Sequence, residues 1–454
     1  MKEKNLFKEF FQYITLNICG MIGLSCYILA DTFFISKKLG ANGLAALNLA
    51  IPIYSFIHGF GLMLGMGGAT KYSIFRGQKN FPHADDVYSA ALFATAVSSV
   101  FFLAAGALFS GNLAVLLGAD GEIFDMTKIY LQVILLFAPI FMTNNLLLCF
   151  VRNDGNPKLS MTAMLVGSFS NIVLDYVFLF PLHMGIFGAV LATGCAPVIS
   201  LTILSRHWTA KQNQFHFKKA KPSPALTRTI ISLGIPSLIT EVASGIVMIV
   251  FNTVILTLQG NTGVAAYGVV ANLSLVITSV YTGIAQGAQP ILSRLYGYND
   301  PQSIRQVFKY AAATALVISF CVYFFFLAAA QPVVGIFNSE QNRELQQIAE
   351  TGLKLYFMAI PFVGFNIILS TYFTSTEQAF PAQIVSLSRG FFVILPMAFL
   401  MSSFFQMTGV WLSYPLTESI VAVAGIRLYI KKSKTSTGGK KHVSRNAQKK
   451  TDVI

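Results

Sequence analysis

Long apolar stretches separated by short polar segments are the feature that most constrains how this chain can fold. A helix needs about 20 mostly apolar residues to cross a lipid bilayer. Only 11% of the 454 residues are charged, whereas soluble domains carry about 25%. The pattern predicts an all-α membrane protein with twelve transmembrane helices, at 11–36, 44–70, 88–112, 129–151, 160–181, 185–205, 230–257, 265–290, 309–330, 354–375, 384–405 and 409–430.

The distribution of basic residues predicts the orientation of these helices. If the N-terminus is cytoplasmic and every stretch crosses, 27 of the 32 Lys and Arg fall on the cytoplasmic side. Such a bias is typical of the cytoplasmic loops of membrane proteins. We therefore attribute the net charge of +14 to topology and not to nucleic-acid binding. We expect a multi-pass protein of a bacterial-type inner membrane, with a retained first helix and both termini in the cytoplasm.

Matching residues recur at a nearly constant offset along the chain. The pairs are Gly67 with Gly287 and Gly77 with Gly297 at an offset of 220, then Pro157 with Pro381, Gly185 with Gly409 and Thr193 with Thr417 at 224. Their order predicts two six-helix lobes, 1–205 and 230–430, related by a pseudo-twofold axis along the membrane normal. A basic cytoplasmic linker, 206–229, would join them, and we expect the basic tail 431–454 to be disordered. Parallel repeats recur in secondary transporters, whose substrate binds between the lobes.

Carboxylates inside the apolar stretches mark candidate functional positions. Of the 18 Asp and Glu, four lie well inside such stretches, namely Asp31, Asp175, Glu241 and Glu418. A carboxylate at the bilayer centre costs roughly 3 kcal/mol on insertion scales. Each should therefore face the interior of the bundle or a wet cavity. The alternative for each is a hydrogen bond between helices with no further role.

A polar cluster forms around one of these acids. Asn171 lies one turn before Asp175 on the same helix face, and Thr193 follows on the next helix. Together with Asp31 they would give two carboxylates, an amide and a hydroxyl, which are ligands that suit protons and hard monovalent cations. Two carboxylates close together also raise each other's affinity for a proton. The cluster therefore predicts a site for a coupling ion.

The repeat places this predicted site in one lobe only. At the offset of 224, Asn171 corresponds to Leu395 and Asp175 to Phe399, which are both apolar. If the polar pair were general packing for the fold, both lobes could use it. The asymmetry indicates that ion coupling belongs to the N-terminal lobe.

Other function classes receive little support from the sequence. The Gly-rich run 59–68 lacks the Lys-Ser/Thr and the strand–helix setting of a phosphate-binding loop, which argues against an ATP-driven pump. No His-Glu-x-x-His, Gly-x-Ser-x-Gly or spaced Cys pair is present. We predict that the chain is not an enzyme, and that it uses no cofactor besides Na⁺ or H⁺ as coupling ion.

Several segments resemble the multidrug and toxic compound extrusion (MATE) family. They are Ala-Asp-Thr-Phe-Phe-Ile at 30–35, Leu-Gly-Ala-Asn-Gly-Leu-Ala-Ala at 39–46, Gly-Ile-Pro-Ser at 234–237 and Gly-Ile-Ala-Gln-Gly-Ala-Gln-Pro at 283–290. The helix pair with Asn171, Asp175 and Thr193 is similar too, and the resemblance extends over roughly 8–430. It implies antiport, in which a drug or metabolite leaves the cell while Na⁺ or H⁺ enters.

The resemblance also implies roles for individual residues. Asp31, Asn171, Asp175 and Thr193 match the family's cation site, which would include the backbone carbonyl of Ala189. An acid on the seventh helix matches Glu241. Candidates for contacting substrate or for gating are therefore Glu241, Gln286, Gln289 and Glu418. The run Thr-Glu-Gln at 376–378 lacks a clear Asp, so a second ion site in the C-terminal lobe is in doubt.

These observations leave three hypotheses. The first is an ion-coupled exporter of small, amphipathic and often cationic compounds, embedded in lipid and active as a monomer without nucleic acid. The second is a lipid-linked saccharide flippase, which would carry cationic residues in its central cavity. The apolar stretches here hold almost no Lys or Arg, with Arg389 expected at a helix end. The third is a membrane scaffold or enzyme that transports nothing.

Overall fold

The protein is all-helical over the part of the chain that the structure describes. The computed structural model describes the backbone of residues 3–219, 223–338 and 341–451, and side chains from residue 5 up to residue 431 within those ranges. Its long helices, numbered here in chain order, are helix 1 (3–39), helix 2 (41–77), helix 3 (Phe81–Leu116), helix 4 (Gly121–Leu136 with Ala138–Asn153), helix 5 (Pro157–Leu179), helix 6 (Gly185–Leu204), helix 7 (224–259), helix 8 (261–297), helix 9 (Pro301–Phe337), helix 10 (Arg343–Ser375), helix 11 (379–405) and helix 12 (407–451).

Three long helical segments are each divided into two helices by a sharp backbone break, and this division gives twelve helices. Within the described residues, eight helical segments are long and apolar enough to cross a membrane, and helix 4 is a ninth that bends by 49° at its centre. Three of the eight segments contain one non-helical residue with a positive φ, namely Gly40 at 65°, Gly260 at 60° and Gln406 at 50°. Each reverses the chain between two antiparallel helices. The predicted all-α fold of twelve membrane helices is confirmed.

Most helices extend beyond the apolar stretches from which they were predicted. Helix 3 begins at Phe81 where 88 was expected, and helix 9 at Pro301 where 309 was expected. In both cases the preceding side chain caps the helix: Asn80 accepts from the N–H of His83, and Asp300 accepts from the N–H of Ser303 at 3.1 Å. Capping and N-terminal proline start a helix in polar sequence, so hydropathy alone underestimated the lengths.

The two halves of the chain form two six-helix lobes. Backbone breaks recur between them at an offset of 220, where Gly40 pairs with Gly260 and Lys79 with Asn299, all at positive φ. Each half also has its own buried core. The first turns of helix 1 are an exception, because Leu6 and Phe10 pack into the core of the second lobe.

The segment between the lobes is docked onto the first lobe over much of its length. We call residues 205–219 the strap; it contains a short helix, Arg206–Thr209. Asp154, at the end of helix 4, accepts three hydrogen bonds there: from the Tyr72 hydroxyl at 2.5 Å, from His207 Nε2 at 2.8 Å and from the N–H of Gln214 at 2.8 Å. Helix 7 then begins inside the range 206–229 that was predicted as linker.

The last helix is longer than the sequence indicated. Its backbone continues to Thr451 and so includes most of the tail, 431–454, for which disorder was expected. No proline follows Pro415 to interrupt it. The side chains from residue 432 onward, and residues 452–454 altogether, lie outside the described part of the chain.

Close glycine contacts join the two lobes. We call the side of the bundle where helix 1 begins and helix 12 ends the terminal side. Toward this side helix 2 crosses helix 7, where a Cβ at Gly67 would lie 2.0 Å from the carbonyl oxygen of Ile230. The equivalent crossing joins helix 8 to helix 1, where a Cβ at Gly287 would lie 2.7 Å from the Cα of Ile14. The lobes are therefore closed against each other on the terminal side.

Candidate functional site

The predicted polar cluster is assembled at the centre of the first lobe. Helix 1 contributes Asp31, helix 5 contributes Asn171 and Asp175, and helix 6 contributes Thr193, all of them buried. The carboxyl groups of Asp31 and Asp175 lie close enough to interact. Because two ionised carboxylates repel each other, a proton or a cation between them would stabilise this arrangement. The structure thus brings together helices 1 and 5, whose proximity the sequence only suggested.

Asn171 and Thr193 hold Asp175 in place. The Asn171 amide donates to Asp175 Oδ2 at 3.0 Å and accepts from the backbone N–H of Thr193 at 3.2 Å. The Thr193 hydroxyl donates to the carbonyl oxygen of Ala189 at 3.1 Å. The bond between Thr193 and Asn171 ties helices 5 and 6 together across their short hairpin. All five residues of the predicted cation site therefore lie in one group.

Each carboxyl group in this cluster keeps one free oxygen. Among the described residues, Oδ1 of Asp31 and Oδ1 of Asp175 are buried without a hydrogen-bond partner. A buried polar atom without a partner costs roughly 1–3 kcal/mol, and most such atoms in native proteins have a partner. Two unpartnered acceptors at a carboxyl pair can receive protons or coordinate a small cation. Whether they do so stays a prediction.

Three tyrosines surround the cluster, and sequence analysis missed them. Tyr130 of helix 4 lies beside Thr193. Tyr27, one turn before Asp31, shares a 3.0 Å hydrogen bond with the hydroxyl of Tyr54 of helix 2. Nothing in their spacing distinguishes them from the 17 tyrosines of the chain. Their neutral hydroxyls complete a polar but uncharged surrounding for the two acids.

Glu241 lies apart from this cluster, at the contact between the lobes. Its Oε2 is 3.4 Å from Nδ1 of His58 on helix 2, and a third of its side chain is exposed. The His58 ring stacks on Tyr54, with 5.8 Å between ring centroids. Glu241 is thus the most accessible of the four acids singled out in the sequence.

Glu418 has a different environment, which corrects the expectation for Arg389. Arg389 was expected at a helix end, but it lies within helix 11, on a π-helical turn, Ser388–Phe392. Its Nε and Nη2 each lie 2.9 Å from the Glu418 carboxylate, which also accepts from Asn366 at 2.7 Å. Glu418 is therefore neutralised by a partner from its own lobe, and the equivalent of the first lobe's carboxyl pair is absent at Leu395 and Phe399.

The two glutamines form a polar layer between the lobes on the terminal side. Gln289 of helix 8 is fully buried; it donates to Thr70 at 2.9 Å and accepts from Asn153 at 2.9 Å. Gln286 accepts from Arg152 at 2.8 Å. Arg152 follows directly after the predicted stretch 129–151, but it belongs to helix 4 and is buried. Both glutamines thus belong to the lobe contact and not to the carboxyl cluster.

The family model MatE matches residues 18–177 and 236–400, which is most of both lobes. This chain belongs to the MATE family of efflux transporters. The resemblance seen in the sequence is confirmed, and so is the expectation that the chain is not an enzyme, because MATE proteins are transporters.

Individual MATE relatives agree in length and fold. The chain is 26% identical to the multidrug export protein MepA of Staphylococcus haemolyticus over 423 residues, covering 93% of this chain and 92% of the relative. It is 25% identical to MepA of Staphylococcus aureus strain MRSA252, covering 93% of each. A MATE protein solved in complex with MaL6 superposes with a TM-score of 0.89 at 24% identity, over 96% of this chain and all of that one. A multidrug resistance MATE transporter in an outward-facing conformation gives 0.87 at 23%, over 96% and 99%.

Proposed function

We propose that this MATE family member is a secondary antiporter that exports amphipathic, often cationic compounds in exchange for Na⁺ or H⁺. The observation that supports coupling most directly is the buried pair of Asp31 and Asp175, with one unpartnered oxygen on each. No Lys or Arg forms an ion pair with either group among the described residues. The charge of the pair therefore depends on a bound proton or cation.

The donor set around the pair suits either ion. Carboxylate, hydroxyl and carbonyl oxygens from Asp31, Asp175, Thr193 and Ala189 are hard ligands of the kind that alkali and alkaline-earth cations take. A proton held between Asp31 and Asp175 would serve H⁺ coupling equally well. We therefore propose Na⁺ or H⁺ as the coupling ion, and one experiment compares the two.

The proposed cargo follows from charge at the lobe contact. Glu241 is partly exposed there, and no Lys or Arg is paired with it among the residues described. A carboxylate in such a position attracts cations, and aromatic faces nearby add to that attraction. Both curated relatives are named multidrug export proteins. A flippase is less favoured, because Arg389 of the second lobe is already neutralised by Glu418 and Arg152 is enclosed in the lobe contact by Asn17 and Gln286.

The proposed direction of transport depends on the orientation of the bundle. The basic bias predicts that the terminal side lies in the cytoplasm, and the lobe contact described above would then close the protein toward the cell interior. We propose a bacterial-type inner membrane location, small organic cations and lipid as partners, and a monomer as the working unit.

The deciding experiment measures dye movement in proteoliposomes under an imposed Na⁺ or pH gradient. Parental protein should move an ethidium-like dye in response to at least one gradient. Asp175→Asn should reduce this movement to the level of protein-free liposomes, whereas Asp120→Asn, the same change at an exposed loop position, should not. Antiport is rejected if the parental protein responds to neither gradient, and the proposed site is rejected if Asp175→Asn responds as the parental protein does.

A further inference from the structure

The side chain of Arg152 is the most unusual charge in the structure. It is 1% exposed, at the terminal-side end of helix 4. Among the residues described here, no carboxylate lies within ion-pairing distance of its guanidinium. Removing an ion from water costs several kcal/mol in real proteins, so buried charges are normally paired. Arg152 therefore needs an explanation that the carboxyl cluster of the first lobe does not supply.

Neutral groups hold this guanidinium, and they come from both sides of the lobe contact. Nη1 donates to Asn17 Oδ1 of helix 1 and to Gln286 Oε1 of helix 8, both at 2.8 Å. Nη2 lies 3.5 Å from the sulfur of Met66 and 3.6 Å from that of Cys149. Nε has no partner. The Arg152 guanidinium of the first lobe is thus hydrogen-bonded to Gln286 of the second lobe.

The surroundings of Arg152 show where this attachment acts. Next to it, Asn153 and Gln289 exchange hydrogen bonds at 2.9 and 3.1 Å across the same contact. Closer to the terminal surface, Lys71 of the first lobe forms an ion pair with Glu377 of the second. Opening the protein on this side would break all of these contacts and expose the guanidinium to water.

We propose that the hydrogen bond from Arg152 to Gln286 holds the two lobes together on the terminal side, and that the neutral amide acceptor keeps this bond easy to break. We call this bond the gate contact, because it must break when the protein opens on that side. The inference rests on the proposed function only in that a transporter must open on this side during its cycle. The bond to the Gln286 amide is already strengthened by the charge of the guanidinium, and a carboxylate there would add the attraction between two opposite charges in a site that excludes water. An acid at position 286 would hold the lobes together too tightly, whereas the amide oxygen leaves part of the charge uncompensated. Hydration of Arg152 then favours opening.

The test follows closure of the gate without using ion or cargo. Ile230 of helix 7 is fully buried in the core of the first lobe, opposite Gly67, so Ile230→Cys reports opening through its rate of maleimide labelling. Cys19, Cys26, Cys195 and Cys321 are replaced by serine in every arm, whereas Cys149, which is buried beside Arg152, is kept, and protein with no added cysteine gives its background labelling rate. Ala163→Cys, buried inside the first lobe, is the control reporter and should label at one slow rate in every variant that remains folded.

Two changes at one position give opposite expectations. Gln286→Glu keeps the shape of the side chain and supplies the missing carboxylate, so labelling at Ile230→Cys should become about tenfold slower. Gln286→Met removes the acceptor and should make labelling faster. In protein that also carries Arg152→Met, Gln286→Glu should make labelling faster instead of slower, because the new acid then lies in the lobe contact without a partner.

The outcomes separate the gate from the proposed antiport. The proposed gate contact is rejected if Gln286→Glu labels at the parental rate or faster while Arg152 is present. It is also rejected if Gln286→Glu slows labelling in protein that carries Arg152→Met. If labelling follows the expected pattern while parental protein ignores both ion gradients, antiport fails and the gate stands. If the gradients drive dye movement but labelling does not follow the pattern, the gate fails alone.

Discussion

Gly77 and Gly297 are 220 residues apart in the sequence and face each other where helix 2 crosses helix 8. A Cβ at either glycine would lie 3.0 Å from the Cα of the other. Because the offset of 220 also relates the backbone breaks of the two lobes, these glycines are equivalent positions of the repeat. Equivalent positions can touch only beside the symmetry axis. The pseudo-twofold axis therefore passes between them, at the terminal-side contact.

This contact predicts a strong effect of one methyl group. In Gly297→Ala the Cβ would lie 2.3 Å from the carbonyl oxygen of Ile74, which forces the lobes apart on the terminal side. We expect loss of most dye export from cells at unchanged membrane expression. Gly268→Ala on the same helix is the matched control, since no atom lies within 4 Å of its Cβ; there alanine should be neutral or stabilising by up to about 1 kcal/mol. Equal export by both variants would show that the contact is dispensable.

Much of the fold and part of the site could be predicted, and the reasons are physical. Twelve helices follow from hydropathy because every spanning helix must be apolar. The group of Asn171, Asp175 and Thr193 follows from helical spacing and a short hairpin. Tyr130 could not be predicted, because its partner lies on a helix that is distant in sequence.

The buried arginines show a second limit of sequence-based prediction. A lone Arg beside an apolar stretch usually marks a helix end, and hydropathy places Arg152 just after the stretch 129–151 and Arg389 at a helix end. Both lie inside helices because an acceptor on another helix compensates them: Glu418 for Arg389, and amide oxygens of Asn17 and Gln286 for Arg152. Such a partner is set by tertiary packing and leaves no local pattern.

Tyr130→Phe tests whether the tyrosines that surround the carboxyl cluster contribute to ion binding. The change removes the hydroxyl that lies beside Thr193 and keeps the ring. Loss of a neutral hydrogen-bonding group typically costs about 0.5–1.5 kcal/mol, so the ion concentration for half-maximal exchange should rise by roughly two- to tenfold. The measurement is dye movement in proteoliposomes against ion concentration. The control is Tyr88→Phe, in an aromatic cluster with Phe150 and Phe215, which should leave the curve unchanged. If Tyr130→Phe also gave the parental curve, Tyr130 would have no part in ion binding.

Glu418 and Arg389 should behave as a structural pair and not as a second ion site. Glu418→Gln leaves a buried guanidinium without its counter-charge, and breaking a buried pair from one side typically costs about 3–5 kcal/mol. We expect a clear fall in the melting temperature in detergent. The double variant Glu418→Met, Arg389→Met removes both charges and should melt closer to the parental protein. If Glu418→Gln melted normally but lost its response to ion gradients, Glu418 would belong to the coupling machinery instead.

The strap should detach from the first lobe when Asp154 is removed. Asp154→Ala deprives Tyr72, His207 and the Gln214 N–H of their shared acceptor, and each unpaired buried group costs about 1–3 kcal/mol. Trypsin should then cut after the exposed Lys211 at least about tenfold faster, which electrophoresis detects as separation of the two lobes. Asp154→Asn should give an intermediate rate, because the amide oxygen can still accept from two of the three donors while its NH₂ group faces the Tyr72 hydroxyl, which can rotate to accept. Asp120→Ala, at a helix cap without a side-chain hydrogen bond, controls for loss of an acid. A parental cleavage rate in Asp154→Ala would mean that the aromatic packing of Phe215 alone holds the strap in place.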